Sequence, residues 1–236
     1  MSIKKKIILL KLSGEAFISK DHSTVDATVV RSYARQIKTL WDSHQFGIVI
    51  GGGNFFRGNQ HGKRLGISNS ASHQAGMLAT MMNGLILQDI FGQEQVPSTL
   101  FCALDCPSIG NPLAPQAIQT AMAQEQCVIF TGGMGNPFFT TDTTAIVRGL
   151  QIKAAEVWKA TKVDGIYSDD PNKNPEAHLL RQVSYAEALT QRLGIMDATA
   201  LALAQEHHMP IRVFSLFVPD SLIRAATDNN FGSTVQ

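Results

Sequence analysis

Cys127-Val128-Ile129-Phe130-Thr131-Gly132-Gly133-Met134-Gly135-Asn136-Pro137-Phe138-Phe139-Thr140-Thr141-Asp142 passes from an apolar run, through glycines, to hydroxyls and a carboxylate. Thr143-Thr144-Ala145-Ile146-Val147-Arg148 then continues as a helical pattern. The stretch reads as strand, glycine turn and helix N-terminus. Glycines let the backbone turn sharply and approach a ligand closely, and the exposed N–H groups of a starting helix favour phosphate. Taken alone, such a turn is equally an ordinary strand–helix connection capped by Asp142.

Two further turns change that balance. Ile7-Ile8-Leu9-Leu10-Lys11-Leu12 is apolar except for Lys11 and reads as a central parallel strand. Ser13-Gly14-Glu15 follows it directly. A lysine at the end of a buried strand is costly unless its charge meets an anion or snorkels out of the strand end. Gly47-Ile48-Val49-Ile50 leads into Gly51-Gly52-Gly53-Asn54, with Arg57 just beyond. Consecutive glycines can set backbone N–H groups around a phosphate, and an arginine can clamp it bidentately. Three strand-to-glycine turns imply one site at the carboxyl ends of a parallel sheet, where open α/β sheets bind ligands. The chain carries neither G-x-x-x-x-G-K-[ST] nor a G-x-G-x-x-G in strand–helix context, so the phosphates must be held in another way.

The remaining pattern agrees with that frame. Strand-like runs at 100–103, 157–160 and 211–214 alternate with helical patterns over 26–41, 68–91, 116–124, 142–154, 184–193, 197–207 and 220–227. Residues 107–115 and 164–175 read as loops. The expected fold is a three-layer α/β/α sandwich with a mainly parallel central sheet. A hydrophobic content of 44% and a charged content of 17% are globular values. A formal net charge of +1 argues against a nucleic-acid face built on bulk positive potential. Lys4-Lys5-Lys6 is followed by too short an apolar run for a secretory signal, and no stretch approaches membrane length. The three cysteines, Cys102, Cys106 and Cys127, lack metal spacing and read as buried thiols of a reducing cytoplasm.

Lys11-Leu12-Ser13-Gly14-Glu15-Ala16, Ile50-Gly51-Gly52-Gly53-Asn54, Phe56-Arg57-Gly58, the segment from Gly135 to Asp142, Lys159-Ala160-Thr161-Lys162-Val163-Asp164-Gly165 and Pro210-Ile211-Arg212-Val213-Phe214 stand in a familiar order. Over nearly its whole length the chain resembles the bacterial UMP kinases (uridylate kinases) of the amino acid kinase superfamily. The resemblance implies a single domain over 1–236, with a phosphate-acceptor lobe over roughly 1–153 and an ATP lobe over 154–236. It implies transfer of the ATP γ-phosphoryl to UMP in pyrimidine nucleotide biosynthesis, Mg arriving with ATP, no resident metal ligands, and a cytoplasmic homo-oligomer, a hexamer.

By matched position, Lys11 would face the transferring phosphoryl, with Leu12, Ser13, Gly14 and Gly53 along the ATP phosphates. Arg57 would neutralise phosphate charge, and Thr161, Tyr167 and Asp170 would shape the adenosine pocket. Gly52, His73, Met134, Gly135, Asn136, Pro137, Phe138, Phe139, Thr140 and Thr141 would hold UMP. Asp142 and Asp197 are the candidate catalytic carboxylates. One of them would orient Lys11 or Lys162 rather than act as a base, since a phosphate nucleophile needs no deprotonation. Asp197 reads equally as a plain helix N-cap. Two other readings are a related phosphotransferase with an altered acceptor and a catalytically weak nucleotide-binding regulator.

The chain also departs from the family pattern. His73 stands where an aspartate usually bonds the UMP ribose, and a neutral imidazole is not an equivalent acceptor. Ala154-Ala155 replaces the usual Ala-Asp. Ser19-Lys20-Asp21-His22-Ser23-Thr24 replaces a glycine-rich segment tied to GTP activation, and Gly92, Gln93 and Thr99 lie where cations for GTP are usual. Weak or absent GTP activation is the expectation.

Overall fold

Lys6–Leu12 is the first strand, β1, and its alternating side chains build the cores on both faces of the sheet. The computed structural model describes residues 5–18, 24–169, 173–191 and 193–236. The further strands are β2 (His44–Ile50), β3 (Ser98–Cys102), β4 (Asn111–Pro112), β5 (Cys127–Thr131), β6 (Glu156–Thr161), β7 (Ile166–Tyr167), β8 (Leu179–Leu180), β9 (Gln182–Val183), β10 (Ile211–Ser215) and β11 (Ser233–Val235). The helices are α1 (Ala27–Thr39), α2 (Lys63–Leu65), α3 (Asn69–Gln93), α4 (Pro115–Ala123), α5 (Thr141–Gln151), α6 (Tyr185–Thr190), α7 (Ala198–Glu206) and α8 (Ser221–Thr227).

Nine strands form the central sheet in the order β4-β3-β5-β2-β1-β6-β10-β11-β9. Its pairings are parallel except for β10 with β11. Ile8, Leu10 and Leu12 turn to one face, with Ile48, Ile50, Trp158 and Phe214, and meet α1, α3 and α8. Leu9 turns to the other face, with Val49, Val128, Phe130 and Val157, and meets α4, α5, α6 and α7. That makes the fold a three-layer α/β/α sandwich. A strand buried on both faces reads as continuously apolar, which is why β1 and β5 were legible. The short strands β8, β9 and β11 carry too little pattern to detect. The segments read as loops contain β4 and β7. Cys102 and Cys127 are buried thiols, whereas Cys106 is only half-buried.

Candidate active site

The first two glycine turns are packed against each other. Gly51 N–H donates to the Leu12 carbonyl at 2.8 Å. A Cβ on Gly14 would lie 2.4 Å from the Gly53 nitrogen, so only glycine permits this approach. Buried Asn83 of α3 fastens the second turn, donating to the Gly51 carbonyl at 2.7 Å and exchanging hydrogen bonds with Asn54. The third turn reverses through Gly132, Gly133 and Gly135, all with positive φ, and Gly132 N–H donates to Thr80 Oγ1 at 2.8 Å. Thr140 then caps α5, accepting from Asp142 N–H at 3.0 Å and Thr143 N–H at 3.2 Å.

Where the turns meet, one carboxylate lies between two ammonium groups. Lys11 Nζ is 3.0 Å from Asp142 Oδ1, and Lys159 Nζ donates to Asp142 Oδ2 at 2.7 Å. Lys159 also donates to the Ile195 carbonyl. All three side chains are largely buried. Burial works to raise the pKa of Asp142, but Lys11 and Lys159 outweigh it and hold the carboxyl below its ordinary value. The group is therefore ionised at neutral pH and engaged by two cations.

Asp197 is the N-cap of α7, accepting from Ala200 N–H at 3.0 Å. It also accepts from Thr143 Oγ1 at 3.0 and 3.1 Å, and from Thr140 Oγ1. It thus pins the start of α5 and fixes the residues flanking Asp142. Of the two candidate carboxylates, Asp142 is the one in contact with lysines, Lys11 and Lys159. Lys162 is instead paired with Glu15 at 2.6 Å, and Glu15 also accepts from Arg57. Arg57 Nε donates to the Gly53 carbonyl at 3.2 Å. Arg57, expected at phosphate, and Lys162, expected beside an aspartate, are therefore held together by Glu15.

A cleft of about 390 Å³ opens beside this cluster, lined among others by Lys159, Thr161, Tyr167, Gly194 and Ile195. Tyr167 O–H donates to Asp164 Oδ1 at 2.8 Å. Asp170 lies outside the described residues, as do residues 19–23. On the other side, Asn136, Phe138, Phe139 and Thr140 are exposed, Pro137 and Thr141 are half-buried, and Met134 and Gly135 lead into them. Phe138 has φ 72°, a strained conformation for an aromatic residue. Its ring lies 5.1 Å from that of His73. His73 is half-buried on α3, and its neighbour Gln74 is exposed.

The structure gathers Lys11, Ser13, Gly14, Gly52, Gly53, Arg57, Asp142 and Asp197 into one region. Leu12 is different. Its side chain is buried in the core and its carbonyl is taken by Gly51. Sequence reasoning missed the roles of Lys159, Glu15 and Asn83. Lys159 had a signal: it is a lysine at a strand end, as Lys11 is. Asn83 had none, since only packing shows which helix residue meets the glycine turn.

Comparison with known proteins follows the same line. Residues 6–215 match the model of the amino acid kinase family. The chain is similar to the uridylate kinase of Legionella pneumophila (strain Paris), 42% identical over 234 residues, covering 99% of this chain and 94% of that protein. Among solved structures it is similar to UMP kinase from Ureaplasma parvum, with TM-score 0.94 and 32% identity over 99% of this chain and 100% of the other. UMP kinase from Bacillus anthracis matches with TM-score 0.93 and 27% identity over 98% and 96% of the two chains.

Proposed function

The chain belongs to the amino acid kinase family, and from that premise we propose that it transfers the γ-phosphoryl of ATP to UMP, giving ADP and UDP. The observation that carries the reading is the Lys11–Asp142–Lys159 cluster where three glycine turns converge, with the exposed Asn136–Thr141 loop on one side and the cleft on the other. We assign UMP to the loop, Gly52 and His73, and the adenosine of ATP to the cleft, with Thr161, Tyr167 and Asp170. Residues 1–153 and 154–236 are the acceptor and ATP lobes in this reading.

Phosphoryl transfer asks the protein to align two phosphates and neutralise the charge that spreads in the transition state. The acceptor is itself a phosphate oxygen, already ionised, so no base is required. Lys11, held by Asp142, meets the transferring phosphoryl. Glycine N–H groups and the Ser13 hydroxyl hold the ATP phosphates, while Arg57 and Lys162 exchange Glu15 for phosphate oxygens. Mg would come with ATP as part of the substrate and would supply charge shielding on its phosphates. Asp142, Asp197 and Glu15 are each engaged by protein partners.

The proposal extends to a cytoplasmic homo-oligomer, a hexamer. Leu78, Met82 and Leu85 form an exposed stripe along α3, on the side away from the core. A helix apolar on both sides is suited to a subunit interface. No helix among the described residues is long and apolar enough to cross a membrane. A coupled assay with UMP, CMP, dUMP and AMP tests the specificity: UMP should be turned over far faster than the others, and comparable turnover of all four would sink the assignment.

A further inference from the structure

β1 and β6 run parallel in a register that sets Lys11 directly beside Lys159. Both side chains turn to the α5 face, where Asp142 lies between them. Like charges side by side on neighbouring strands destabilise a sheet. One carboxylate needs only one cation, so the second lysine is not explained by the ion pair of the first.

The two lysines divide the carboxylate between them. Lys159 donates to Oδ2 at 2.7 Å. Lys11 lies 3.0 Å from Oδ1, and Asp142 is its only partner among the described residues. Lys11 thus meets a single oxygen and keeps N–H groups to spare, since an ammonium carries three donors. Lys159 in turn is fixed by the Ile195 carbonyl, on the wall of the cleft.

Resting on the kinase reading above, we propose that Lys159 is a positioning residue: it takes up one oxygen of Asp142, so that the carboxylate meets Lys11 through the other oxygen alone and leaves it N–H groups for the transferring phosphoryl. Without Lys159, both oxygens of Asp142 would turn to Lys11. The groups facing Asp142 are Lys11 from β1, Lys159 from β6 and, through Lys159, Asp197 at the cap of α7. Removing the Lys159 charge also takes away one of the two cations that keep Asp142 ionised, so its protonation would begin at higher pH.

The test is a cycle of Lys159→Met, Asp142→Asn and the double variant, assayed with UMP and MgATP beside the wild-type enzyme. Lys159→Met should lower kcat about ten- to a hundredfold, the usual range for a supporting partner one bond removed from the chemistry, with KM for both substrates within about threefold. The acidic limb of its kcat profile should move to higher pH. In the Asp142→Asn background, Lys159→Met should add little, because two residues acting through one contact are non-additive. Unchanged kcat, a change confined to KM for ATP, or fully additive losses would each overturn the role. So would loss of the cooperative melting transition in both Lys159→Met and Lys159→Ala, which would make Lys159 a folding residue. A wild type that fails to phosphorylate UMP would overturn the kinase reading itself.

Discussion

Two ionic clusters, each around a buried carboxylate, draw on β1 and β6 at opposite ends and on opposite faces. At the amino end, Glu156 of β6 accepts from Arg212 Nε at 2.9 Å and from Trp158 Nε1 at 2.9 Å, and lies 3.2 Å from Lys6 Nζ. Arg212 Nη1 donates to the carbonyls of Asp228 and Asn229 at 3.1 and 3.4 Å. At the carboxyl end, Asp142 has the same one-carboxylate, two-cation composition, but Lys11 has no described partner besides that carboxylate. The first cluster is closed and the second open. A closed buried cluster specifies and holds the fold, and breaking it is costly. An open one has donors to spare, and it stands at the sheet end where ligands bind.

Several variants sharpen the contrast. Glu156→Ala should cost the most, about 3–5 kcal/mol of stability, because it leaves Arg212 buried without its partner; kcat of the folded enzyme should be unchanged. Urea denaturation with activity titration checks both halves. Burial works to raise the Glu156 pKa, but Trp158, Arg212 and Lys6 hold it below the ordinary value. Its contribution is therefore present above the unfolded pKa of about 4.3 and lost as pH falls through the lower folded value. Glu156→Gln should remove that part of the acid sensitivity, and an unchanged slope of stability against pH would contradict the assignment.

Lys11→Ala should do the reverse, sparing stability and lowering kcat by roughly a hundredfold or more, equivalent to about 3–4 kcal/mol of transition-state stabilisation. Near-normal kcat in a folded variant would reduce the open cluster to a second structural ion pair. The smallest effect is expected at the rim. His73→Ala should raise KM for UMP about three- to tenfold, a neutral hydrogen bond of roughly 0.5–1.5 kcal/mol, and leave KM for ATP alone. His73→Asp should lower KM for UMP. No change in either variant would mean that His73 only packs on Phe138.

Legibility followed burial and repetition. β1, β2 and β5 could be read because they are buried on both faces and end in glycine, and α3 because it is long and rich in Ala, Met and Leu. Lys11, Arg57 and Asp142 could be read because charge stands beside those turns. Glu15 was visible but silent: nothing in Ser13-Gly14-Glu15 says that it will hold both Arg57 and Lys162. Lys162 was expected beside an aspartate for the same reason, since pairing between distant segments depends on the order of strands.

The sequence by itself determined the alternation of strands and helices, the three glycine turns and the residue types available for phosphate chemistry. These are local properties, set by side-chain periodicity and backbone freedom. Only the tertiary structure decided which charges meet. The β1–β6 register sets Lys11 beside Lys159, and the first turn of α5 sets Asp142 between them. Register and helix docking join residues far apart in the chain, and an ion pair exists only where that joining brings oxygen and nitrogen within contact distance. One strand pair therefore carries a closed cluster at one end and an open one at the other.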